Sequence, residues 1–155
     1  MQDTLIIVGS ARSNGHTMRV ARALQAEVQA DLVDLQDYQI GYFRYDQHYP
    51  EGDDFLDFIE ASVLPYRQLV FASPVYWYSM SAQMKTFFDR LSDLLKSRKD
   101  LGRQLRGKQL SVLSCSGDDE VFESFFLPFK LSAAYLGMAY SNEWHSWVDE
   151  AGEMN

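Results

Sequence analysis

Cysteine occurs once in these 155 residues, at Cys115. One thiol closes no internal disulfide and cannot hold a cysteine-ligated cluster or a cysteine-rich zinc site, so the expected setting is a reducing, cytoplasmic one. Basic charge is also scarce: 14 Lys and Arg stand against 22 Asp and Glu, a formal net charge of −8. A nucleic-acid partner needs a basic footprint for its phosphates, and an anionic membrane needs the same, so neither is expected. No apolar run approaches the roughly 20 residues of a membrane helix. The first one, Leu5 to Val8, is too short for a signal-peptide core. The three histidines, His16, His48 and His145, lack metal-ligand spacing, and no metal is expected. Gly-x-Ser-x-Gly is missing, which leaves a hydrolase little support. There is no repeat and no low-complexity linker.

What remains is a chain of single-domain length, spanning 1–155, with an ordinary apolar content of 46%. Short apolar runs alternate with stretches of helical period. Thr4 to Val8, Ala30 to Leu35, Gln68 to Ala72, Gln109 to Leu113 and Met138 to Trp144 read as strands. Thr17 to Gln29, Phe55 to Tyr66, Ser81 to Lys96 and Val121 to Leu136 read as helices, the last of which Pro128 must start, break or kink. Tyr38 to Asp53 reads as a loop. Alternating β and α predicts an α/β fold, a parallel sheet with helices on both faces. Ligands of such sheets sit beyond the carboxyl ends of the strands, which directs attention to the segments starting at Gly9, Ser73 and Ser114.

The first segment is Gly9-Ser-Ala-Arg-Ser-Asn-Gly-His-Thr17. Small residues let backbone N–H groups crowd an anion, hydroxyls of Ser10, Ser13 and Thr17 can donate, and Arg12 adds a charge-assisted bond. The following helix presents its positive end. The alternative is a plain strand-to-helix turn. Five residues separate the two glycines, and His16 stands where a Walker loop has Lys, so a mononucleotide phosphate suits this loop better than a nucleoside triphosphate. The second segment holds Tyr76, Trp77 and Tyr78 in a row, aromatics that either flank a flat heteroaromatic ring or belong to a core or subunit contact. Ser81 is a candidate N-cap. The third, Ser114-Cys-Ser-Gly-Asp-Asp119, is small and polar. Its cysteine reads as a loop residue and not a phosphatase nucleophile, since Val121 stands where that chemistry needs Arg. Asp53-Asp54 resembles a helix N-cap.

Gly9 to Thr17 resembles the phosphate loop, G-S-x-R-x-x-G-x-T, of the NADPH-dependent FMN reductases. Ser73 to Arg90 resembles their flavin-ring loop and the helix after it. The resemblance implies a flavodoxin-like, doubly wound, five-stranded parallel sheet in the order 2-1-3-4-5, layered α/β/α. It implies FMN as cofactor, with Ser10, Arg12, Asn14, Gly15, His16 and Thr17 at its phosphate. Pro74, Val75, Tyr76, Trp77 and Tyr78 would line the ring, and Ser114, Ser116 and Gly117 its other edge. NADPH or NADH would be the electron donor and a small molecule the acceptor. No catalytic side chain is required, because the flavin carries the chemistry. A flavodoxin-like electron carrier, and an interaction module that has lost its cofactor, are the competing readings.

Two departures stand out. Related iron–sulfur flavoproteins carry a cysteine motif after strand two, and Ile40 to Pro50 here contains none. The family also ends in a helix after strand five, whereas Ser146 to Asn155 is polar, so that helix is expected to be missing or very short. One sheet face should then be partly bare. The expectation is a homo-oligomer, dimer or tetramer, with Trp144 and Trp147 at the contact.

Overall fold

The computed structural model describes residues 2–155. Five strands, β1 (Thr4–Val8), β2 (Asp31–Asp34), β3 (Gln68–Pro74), β4 (Gln109–Ser116) and β5 (Ala139–Trp147), form one sheet in the order β2-β1-β3-β4-β5, every neighbouring pair parallel. β1 is buried along its whole length, which explains why it reads as an unbroken apolar run and not as an alternation. The helices are α1 (His16–Val28), α2 (Phe55–Phe58), α3 (Ala82–Arg90), α4 (Asp93–Lys96), α5 (Lys99–Arg103) and α6 (Glu123–Leu136). On one face α1 alone packs Met18, Ala21 and Leu24 onto Ile6, Val8, Val70 and Leu113. On the other, the remaining helices build a larger, aromatic core around Phe55, Phe58, Phe71, Phe87, Phe125 and Phe129. The architecture is the flavodoxin-like, three-layer α/β/α sandwich.

Several elements differ from the periodicity reading. After one turn, α2 widens over Ile59–Val63 into a π-type turn, and the Leu64 N–H reaches back to the Ile59 carbonyl at 2.9 Å before Pro65 ends the helix. The long helix expected over Ser81 to Lys96 breaks after Arg90. The cause is Arg90 itself, 1% exposed, whose Nε holds the Asp93 carboxylate at 2.9 Å and pulls the next turn inward. Through α6 the chain continues past Pro128 without a break. β3 and β4 run further than expected, so Ser73 and Pro74, and also Ser114, Cys115 and Ser116, lie in strands and not in loops. After β5 no helix follows among the described residues. The tail turns back instead, pairing Val148 with Met154. Register places Trp144 beside Leu113, toward α1, and Trp147 beside Ser116, so the two indoles lie on opposite faces of the edge strand.

The irregular stretch before α2 is fixed by the same arginine. Two guanidinium nitrogens grip Asp53 at 2.8 Å each, one of them also reaches the Gly41 carbonyl at 3.0 Å, and the Tyr49 ring lies 3.4 Å from the guanidinium carbon. The Tyr49 hydroxyl donates to Asp93 at 2.9 Å, completing the cluster. Asp53 therefore serves as a buried counter-ion besides bonding the Phe55 N–H at the start of α2. Burial alone would raise its carboxyl, but Arg90 and the Gly41 and Phe55 N–H groups outweigh that and hold it below its ordinary value.

Arg90→Leu strands two carboxylates in the core, and the expected loss is about 3–5 kcal/mol in urea unfolding at pH 7. Because the folded Asp53 carboxyl is depressed, its contribution is complete above the ordinary carboxylate range and disappears as the pH falls through the lowered value. The gap between the parent protein and Asp53→Asn should accordingly narrow in acid.

Candidate functional site

At the carboxyl ends of β1, β3 and β4 lie two adjoining hollows of about 280 and 310 Å³. They share Val75, Ser116 and Gly117 and so form one continuous depression. The first gathers Ser10, Arg12, His16, Thr17, Pro74, Val75, Tyr76, Ser116 and Gly117. The second takes Trp77 and Tyr78. Four residues singled out from the sequence line neither: Ser13 and Asn14 are exposed beside the loop, Gly15 is the buried residue before α1, and Ser114 is fully buried within β4. The Ser114 hydroxyl turns to β5, where it meets His145 Nδ1 at 2.8 Å and the Trp144 carbonyl at 3.2 Å.

The floor of the first hollow is the start of α1. Gly15 offers no capping side chain, and the first turn carries no acid, so the amino-terminal N–H groups and the positive helix end face the hollow uncompensated. Neither ring nitrogen of His16 has a hydrogen-bond partner among the described residues, though both are buried. Burial, then the charges of Arg19 and Arg12, push its pKa below the ordinary value, which keeps the ring neutral with one N–H to give. The Arg12 side chain lies across Gly15, where a Cβ would sit 2.4 Å from its Nε. Ser10 and Thr17, both buried, add hydroxyls. Free helix donors, an orphaned imidazole, two hydroxyls and one guanidinium make a donor set suited to a phosphate dianion, and the neighbouring aromatic hollow is suited to a flat ring.

Packing behind the loop sets its path. Gly9 is closely packed: a Cβ there would stand 3.0 Å from the Met84 Cε and 3.2 Å from Leu35, so those side chains would have to give way. Ser81 caps α3 by accepting the Met84 N–H at 3.1 Å, and its hydroxyl donates to the Gly9 carbonyl at 2.6 Å.

Sequence reasoning missed other members. Val148 reaches the first hollow because its N–H donates to the Ser116 carbonyl at 3.1 Å as the tail folds back, an arrangement with no local signal. Asp118, Glu120, Val121 and Phe122 line the second hollow; helical periodicity extends over the last two, although α6 begins only at Glu123. His145 has a structural place here, since its Nε2 lies 2.8 Å from the Asp118 carbonyl and ties the third loop to β5. Cys115 borders the first hollow but is 2% exposed, and burial pushes its thiol up to about 12, with a hydrogen bond from Thr17 acting the other way and outweighed. Among the described residues no group of three or more His, Cys, Asp or Glu could hold a metal.

The aromatic loop is a two-residue hairpin. Tyr76 and Ser79 exchange N–H···O bonds of 2.9 and 3.1 Å, and both central residues have positive φ, 49° at Trp77 and 67° at Tyr78. Such turns favour Asn-Gly, and bulky side chains there store strain. The turn holds Trp77 out at 92% exposure at the second hollow, while Tyr78 packs edge-on against Phe122 with centroids 5.4 Å apart.

The family model described as NADPH-dependent FMN reductase matches residues 3–151. The chain belongs to that family. It is accordingly a flavoprotein oxidoreductase of the FMN-binding, NAD(P)H-dependent kind. It is 31% identical over 144 residues to YwqN of Bacillus subtilis (strain 168), named as an NAD(P)H-dependent FMN-containing oxidoreductase, covering 87% of this chain and 79% of that one. Among solved structures it resembles the Trp repressor binding protein of Bacillus subtilis, with TM-score 0.73 and 25% identity over 94% of this chain and 84% of that one. It shares its fold with an FMN-dependent NADH-azoreductase of Bacillus anthracis in complex with FMN, with TM-score 0.62 and 12% identity over 98% and 89% of the two chains. Among the described residues no helix is long and apolar enough to cross a membrane.

Replacing Trp77-Tyr78 by Asn-Gly relieves two strained positions, and thermal unfolding of the flavin-free protein should show a gain of about 1 kcal/mol. The same double variant should bind FMN more weakly, as read by quenching of flavin fluorescence.

Proposed function

We propose that residues 1–155 act as one FMN-binding unit that passes hydride from NADPH or NADH to a small acceptor by a ping-pong cycle. The observation that carries this reading is the uncapped start of α1 with the unpartnered His16 ring beside an open aromatic hollow. Ser10, Arg12, His16 and Thr17 would hold the phosphate, with Asn14 and Gly15 shaping the loop. Pro74, Val75, Tyr76, Trp77 and Tyr78 would bound the ring on one side, Ser116 and Gly117 on the other, with Ser114 anchoring that loop from behind. FMN, when bound, supplies hydride uptake and release. The protein's part would be to orient it: loop N–H groups near the ring would stabilise negative charge there, and Trp77 and Tyr78 would shape a stacking place. With a single stacking place there, donor and acceptor would alternate. A quinone, a nitro or azo compound, a free flavin or a metal ion meets the chemical requirement for an acceptor.

The lone buried thiol supports a cytoplasmic setting. We also propose assembly as a dimer or tetramer through the sheet face that only α1 covers. Trp144, and not Trp147, is the aromatic on that face. Sedimentation should show more than one chain per particle at micromolar concentration; a monomer would overturn this assembly.

The purified protein with FMN should turn yellow and bleach within minutes of adding NADPH or NADH without oxygen. Arg12→Ala should weaken FMN binding by about tenfold or more, the range of one charge-assisted bond. Bound flavin that stays yellow would instead assign the chain an electron-carrier role.

A further inference from the structure

A third hollow, of about 260 Å³, opens outside the two just described, between the segment after β2 and the first turn of α3. Its polar feature is unusual. The Oε1 of Gln83 is buried and has no hydrogen-bond partner among the described residues, a state that costs free energy until a donor arrives. Tyr38 and Tyr42 stand in its lining, Tyr38 fixed against Phe58 with ring centroids 4.3 Å apart and Tyr42 free at 81% exposure. Gly41, between them, is pinned at both ends, its carbonyl by Arg90 at 3.0 Å and its N–H by Asp53 at 2.9 Å, so the wall is rigid. The lining contains no charged side chain. A neutral, planar ligand that sets a donor beside an acceptor meets these conditions.

We propose that this hollow binds the adenine of the nicotinamide dinucleotide, with the Gln83 amide reading its edge and the tyrosines enclosing its faces. A glutamine amide pairs with adenine through two parallel bonds, accepting from the exocyclic N6 amine and donating to the adjacent ring nitrogen. Position supports the assignment. Gln36, also in the lining, donates its Nε2 to the Ser10 carbonyl at 2.8 Å, so this hollow and the phosphate hollow back onto one loop. Tyr78 of the ring hollow and Ala82 of this one are four residues apart on one segment, which limits their Cα separation to about 14 Å. An extended dinucleotide can bridge that distance. The proposal rests on NADPH or NADH being the hydride donor.

The test uses the FMN-loaded protein and three probes: adenosine, NADH, and reduced nicotinamide mononucleotide, which has the same nicotinamide and no adenine. Adenosine should give saturation-transfer NMR signals that Gln83→Leu abolishes and Tyr42→Ala weakens. In steady state, Gln83→Leu should raise KM for NADH about tenfold with kcat unchanged, a bidentate pair being worth at least that factor. KM for the mononucleotide should not move. Adenosine that gives no signal, or the same signal with Gln83→Leu, overturns the proposal, as does an equal rise in KM for both donors. The NMR arm needs no turnover. If NADH fails to reduce the flavin at all, adenosine binding still decides this inference separately from the reductase reading.

Discussion

One hydroxyl joins the parts on which the site depends. Ser81 Oγ donates to the Gly9 carbonyl and accepts the Met84 N–H, and the Ser81 N–H donates to Ser73 Oγ at 3.0 Å, which in turn bonds the Pro74 carbonyl. The end of β1, the end of β3 and the start of α3 are thus held by a chain of buried bonds, Ser73 and Ser81 being fully enclosed. Each of these polar atoms has a partner, which is the condition for such a network to rigidify and not weaken a core. The 9–17 loop leaves β1 at Gly9 and the aromatic hairpin lies between Pro74 and Ser81. Their relative placement is therefore set by this junction and not by the ligand.

Around that fixed point the molecule divides its tasks. Strength lies on the face of α2 to α6, with its aromatic core and the buried Arg90 cluster. The ligand end is built from less settled parts: a helix start without a cap, an imidazole without a partner and a hairpin with two strained residues. Each of these costs stability in the empty protein, and the helix start and the imidazole are satisfied by a group that accepts hydrogen bonds, whereas the backbone strain of the hairpin persists. Binding sites are where such local conflicts concentrate.

The strand and helix succession was legible because its causes are local. A parallel strand buried on both sides must be continuously apolar, and the 9–17 loop announces itself by small residues ahead of a helix. The loop residues Ser10, Arg12, His16 and Thr17 stand together at one hollow for that reason. What escaped was long-range. Nothing near Arg90 shows that it will find Asp53, 37 residues earlier, so the order of the 38–54 segment could not be read. The assignment of Ser114 to a loop failed because β4 extends with its partners and not by its own composition. Val148 joins the hollow only through the returning tail, and the positive φ values of Trp77 and Tyr78 run against their residue preferences.

Cys115 carries a consequence for how this fold can be observed. It is the one sulfhydryl of the chain, it sits in the central part of the sheet beneath the phosphate hollow, and its elevated pKa leaves almost no thiolate near neutrality. Alkylating reagents act on the thiolate and need access to it. Their rate at this position is therefore governed by how often β4 separates from its covering, which makes the residue a built-in reporter of local opening. A ligand that seals the hollow above should slow that clock without touching the sulfur.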